Sequence, residues 1–143
     1  MKKSLAAMIV VASFLGTVTV SAEQGKGLNV TVTSADRQTQ MMAMVLSFEA
    51  MKTHGREVSM VLCGPAGDLA LKSTETATFN PLRKSPTMML NALLEMGASV
   101  EVCPLYLPNA GKTTDELIDG ITVARPAVVA GRLLDTDYRS LTF

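Results

Sequence analysis

The sequence has little of what most catalytic sites are built from. Its 143 residues include one histidine and two cysteines, and aromatic side chains make up 4% of them. Cys63 and Cys103 stand forty residues apart, so neither a paired-cysteine zinc spacing nor a Cys-x-x-Cys redox motif is present. No glycine-rich phosphate cradle occurs either. Lys+Arg and Asp+Glu both number 13, and no basic tract is found, which leaves no electrostatic footprint for nucleic acid. There is no internal repeat, coiled-coil heptad or low-complexity segment.

What is present begins with an export signature. Lys2 and Lys3 precede an uncharged apolar run over residues 5–18, and Val20-Ser21-Ala22 supplies a small-residue cleavage site before Glu23. The run is shorter than the roughly 18 to 20 residues of a spanning helix, and no cysteine follows it for lipid attachment. The expectation is a signal peptide over residues 1–22, no membrane attachment after cleavage, and one domain over residues 23–143. Removing 22 residues that include Lys2 and Lys3 leaves 121, with 11 basic against 13 acidic side chains and a formal charge of −2. Two cysteines in an exported chain commonly form a disulfide, so a Cys63–Cys103 bridge is the first reading of composition.

Taken in order, the mature chain alternates between two periods. Residues 28–33 alternate and are β-branched, predicting a strand. Ser34-Ala35-Asp36 offers capping oxygens, and residues 38–53 carry an apolar helical face closed by Gly55, with His54 in the last turn. A second strand is expected at residues 57–62, and Gly64-Pro65 then turns into a short helix over 66–72. Residues 73–84 read as a loop, and Ser85-Pro86 starts a helix ended by Gly97. Residues 99–102 give a third strand and 104–111 a second loop, after which Thr113 or Thr114 caps a short helix. A short strand at 121–124, a helix at 126–134 and a strand at 138–143 complete the chain. The sum is a three-layer α/β/α sandwich with a mainly parallel sheet of about five strands.

Both cysteines fall at the carboxyl ends of expected strands, Cys63 before Gly64-Pro65 and Cys103 before Pro104. In parallel α/β sheets that edge carries the reactive groups. His54 belongs to the opposite edge, so a Cys-His pair is not expected. What remains is thiol chemistry, in which the thiolate is the nucleophile and is favoured by a helix amino terminus or a cation. The helix after Pro65 offers the first to Cys63, and Lys112, Arg83 and Lys84 offer the second to Cys103. Whether the sulfurs meet depends on strand order. Neighbouring strands place them about 4.8 Å apart, and an intervening strand near 10 Å. Eight methionines in the mature chain add a soft-metal alternative for copper(I), against which their helical spacing argues for core packing.

Residues 28–36, the block Val61-Leu-Cys-Gly-Pro-Ala-Gly-Asp-Leu-Ala-Leu71, the Ser85-Pro86 helix, Val100-Glu-Val-Cys-Pro-Leu-Tyr-Leu-Pro-Asn109 and residues 138–143 together resemble the DsrE/DsrF-like family in an exported, periplasmic form. The resemblance runs over nearly all of the mature chain. It implies a parallel α/β/α sandwich that assembles as a homotrimer or homohexamer. It also implies, as in cytoplasmic TusD-type carriers, a cysteine after the third strand that accepts sulfane sulfur as a persulfide; by position this is Cys103. The partners implied are sulfur donor and acceptor proteins or small sulfur compounds, with no cofactor and no resident metal. Pro104-Leu105-Tyr106-Leu107-Pro108 departs from the small residues and basic turn of those carriers. Cys63 has no counterpart in that motif and is read as a resolving or redox partner. The alternatives are a copper or small-ligand binding module, and a non-catalytic oligomer with a Cys63–Cys103 disulfide.

Overall fold

The computed structural model describes residues 25–143, so the expected signal peptide, residues 1–22, lies outside the described residues. Five strands, β1 (Gly27–Val32), β2 (Glu57–Leu62), β3 (Ser99–Val102), β4 (Thr122–Val123) and β5 (Tyr138–Thr142), form one parallel sheet in the order β4-β3-β2-β1-β5. Four α-helices accompany them: α1 (Arg37–Lys52), α2 (Pro86–Glu95), α3 (Tyr106–Ala110) and α4 (Pro126–Leu134). The chain steps from β1 through β2 to β3 in one direction, and right-handed crossovers then put α1 and α2 on one face. From β4 it returns across the whole sheet to β5, and the same rule puts α4 on the other face.

Local chemistry fixes the helix ends. Asp36 accepts a hydrogen bond from Thr39 N at 2.8 Å at the start of α1, and Gly55 follows that helix with φ +61°. Ser85 accepts from Met88 N at 3.3 Å to open α2, whose first residue is Pro86. Three elements differ from expectation. The helix after Cys63 is a 3-10 helix, Gly64–Ala70, which begins at Gly64 with φ +53° and closes on a Leu71 N to Asp68 O bond. The loop at 104–111 contains α3, where Pro108 lies in the first turn and needs no donor, and Gly111 ends the helix at φ +64°. The helix expected after Thr113 is a single 3-10 turn, Thr114–Glu116, held by a capping box between Thr113 and Glu116.

The two faces of the sheet differ in composition. Val30, Val32, Val58, Met60, Leu62, Val100 and Val102 point toward α1 and α2 and form the core with Met44, Leu90 and Leu93. The alternate positions, Asn29, Thr31, Ser59 and Glu101, point the other way, because successive strand side chains face opposite sides. Among the described residues that polar face carries α4 alone, and none of the residues of α4 is buried. Polar contacts hold it: Asn29 Nδ2 donates to Arg132 O at 2.6 Å, and the Arg132 guanidinium pairs with the Glu101 carboxylate. Asn29 Oδ1 is buried there with no partner.

Candidate thiol site

Strand order decides the site. β2 and β3 are neighbours, and Leu62 and Val102 are their last registered pair. One residue further, Cys103 N donates to Leu62 O at 2.8 Å and Cys63 N to Val32 O at 2.9 Å, so both cysteines still follow the ladder. Adjacent strands lie about 4.8 Å apart, a Cα separation that a disulfide can span. Both cysteines are free thiols in the structure. Being at odd positions, like Val61, they face α4 rather than the core.

The Cys63 pKa is pushed up to about 11, first by burial and then by hydrogen bonding with Cys103 and by the charge Cys103 can carry. The lowering expected from a helix after Pro65 is overturned: the segment is a seven-residue 3-10 helix, and desolvation outweighs its end.

Cys103 lies between two open grooves of about 450 Å³ each. One has both cysteines at its floor and Val61, Leu105, Val129 and Leu133 among its walls. The other is bounded by Gly64, Leu105, Tyr106, Asn109 and Ala110. Among the described residues no charged side chain lines either. The two cysteine-bearing loops are locked together nearby. The Tyr106 ring lies so close over Gly67 that a Cβ there would overlap it, and the Tyr106 hydroxyl donates to Asp68 at 2.5 Å. Burial, followed by the Asp68 carboxylate, holds the Tyr106 phenol above its ordinary range.

Of the cations expected beside Cys103, Lys112 pairs with Glu116 at 2.8 Å, while Arg83 and Lys84 are exposed in the loop that pairs with Phe79. None of the three lines the grooves at the cysteines. His54 is exposed and lines a separate groove with Gly27, Arg56 and Arg139, at the start of the strands. Met41, Met44, Met60 and Met89 are core residues, and Met42, Met88 and Met96 are exposed; no methionine lines either thiol groove. Among the described residues no group of three or more His, Cys, Asp or Glu side chains converges on a metal position. A soft-metal site here would rest on the two cysteines alone.

Sequence reasoning placed Cys63 and Cys103 but missed Gly67, Tyr106, Val129 and Leu133. For Gly67 and Tyr106 the only sequence signal was a glycine inside the expected helix. For Val129 and Leu133 it was the polar alternation of the strands, which leaves that sheet face to a single helix.

No protein-family model and no curated protein matches the chain. Among solved structures, the YchN protein of E. coli matches with a TM-score of 0.68 at 19% identity, covering 82% of this chain and 99% of that one. MTH1491 of Methanobacterium thermoautotrophicum, a protein of unknown function, matches with a TM-score of 0.61 at 12% identity over 82% of this chain and 99% of its own. Both likenesses concern the fold alone, an α/β arrangement that in this chain has a parallel five-stranded sheet.

Proposed function

We propose that the protein carries or transfers sulfane sulfur in the periplasm as a persulfide on Cys103. The observation behind this reading is the thiol pair: Cys103 stands at a strand end, rims two open grooves, and shares one of them with the Cys63 thiol on the neighbouring strand. A thiolate with a donor beside it is a nucleophile that one fixed partner orients. In the loading step the Cys103 thiolate attacks the outer sulfur of a donor. A new S–S bond forms on Cys103, the donor's S–S bond breaks, and its electron pair leaves on the donor thiolate. Attack by an acceptor thiol on the terminal sulfur reverses the step. The Cys63 S–H remains in place to hydrogen-bond the sulfur that Cys103 holds.

Assembly as a trimer or hexamer, which the resemblance implies, has support in the apolar outer side of α4, where Val128 and Leu134 are exposed and do not line the thiol groove. The register of Cys63 and Cys103 favours a second state, a disulfide formed when a disulfide oxidant takes two electrons from the pair.

Cyanide removes sulfane sulfur as thiocyanate, which gives the test. After incubation with a persulfidated donor and desalting, wild type and Cys63→Ser should release thiocyanate near one equivalent per chain, and Cys103→Ser should release none. Equal release from Cys103→Ser and wild type would sink the assignment.

A further inference from the structure

Resting on the reading of Cys103 as a sulfur acceptor, we infer that the small sulfur compound this site takes is uncharged: elemental sulfur or a dialkyl polysulfane rather than thiosulfate or another sulfur oxyanion. Among the described residues no charged side chain lines either groove that opens on Cys103, and the one that contains both thiols is walled by Val61, Leu105, Val129 and Leu133. An anion entering it loses hydration and meets no cation in return, a cost that an uncharged molecule escapes. Lys112 is engaged by Glu116, the Arg132 guanidinium by Glu101, and Arg125, between Ala124 and Pro126, is not among the lining residues. The volume of about 450 Å³ lies within the range of small-molecule sites and exceeds what a lone sulfur atom needs. With elemental sulfur the Cys103 thiolate opens the ring. One S–S bond forms to Cys103, one ring bond breaks, and the negative charge moves to the far sulfur of the new chain, so no oxidant or reductant is consumed.

The experiment compares three thiol reagents of comparable size and different charge: butyl methanethiosulfonate and its sulfonatoethyl and trimethylammonioethyl analogues. Rates at Cys103 of the intact protein are read by mass and divided by the rates with free cysteine. The neutral reagent should keep a lead of roughly tenfold or more over the anionic one after this correction, the penalty for an unpaired anion in an apolar groove. Leu133→Lys, at a half-exposed position that tolerates charge, should remove most of that lead. Equal corrected rates, or a faster anion, overturn the inference. So does uniform slowness to all three, the result expected if a second copy of the chain covers the groove. Loading with elemental sulfur and with thiosulfate then separates this claim from the one beneath it. If thiosulfate loads as well as sulfur, carriage stands and the inference falls. If neither loads while the reagents keep their order, the carriage reading fails and the groove's preference stands.

Discussion

Cys63 holds its proton to higher pH than an ordinary thiol because it is partly buried and because a second sulfur that can hold charge sits beside it. Two of the three causes of its shift to about 11 vanish in Cys103→Ala. In that variant the pH dependence of Cys63 alkylation should move down from about 11 yet stay above the ordinary 9.0, since burial remains. An unmoved midpoint would mean that the two sulfurs do not interact. The same shift has a sign for stability. The folded state binds this proton more tightly than the unfolded chain does, so the stabilising contribution is whole below pH 9.0 and is lost as pH rises through about 11. Sequence reading reached both cysteines because glycine and proline mark the strand ends at Gly64, Pro65 and Pro104. It missed the upward shift of Cys63, which depends on burial and on a neighbour forty residues away.

At the scale of elements, two joints hold the site. The first is the contact of the Tyr106 ring with Gly67, which fixes α3 to the 3-10 helix and so one cysteine loop to the other. Gly67→Ala forces a methyl group into the ring and should lower stability by about 1 to 3 kcal/mol in denaturant titration. A neutral result would show that Tyr106 moves aside freely. The second joint is α4, attached to the sheet chiefly through Asn29, Arg132 and Glu101. Glu101→Gln removes the charge that Arg132 pairs with and should cost about 1 to 3 kcal/mol, with amide exchange rising in α4 before other helices. Unchanged exchange in α4 would show that the pair does not hold the helix. A control lies away from the site: Ser85→Ala deletes a buried cap of α2 and should cost about 1 kcal/mol without altering thiol reactivity. The helices themselves were legible, since caps such as Asp36 and Ser85 and stops such as Gly55 are local signals. α3 was not, because five residues beginning at Tyr106 and containing Pro108 carry no helical period.

For the whole molecule, topology does what local pattern cannot. Orders with β1 central and with β2 central satisfy the same alternation of strands and helices, and only the second brings Cys63 and Cys103 into register. Strand content and parallel direction followed from short connections and crossover geometry. The order did not, because it is set by how α1 and α2 pack together on one face. The polar alternation at Asn29, Thr31, Ser59 and Glu101 was also in plain view, and its meaning, a face with one helix and an open groove, emerged with the third dimension. The most direct test of the central claim is the intact mass of the protein purified without reductant, before and after alkylation. The account predicts a gain of about 32 Da that maps to Cys103, disappears on reduction and is absent from Cys103→Ser. A protein with both thiols alkylatable that takes up no sulfur from any donor, or an adduct that maps to Cys63, would contradict it.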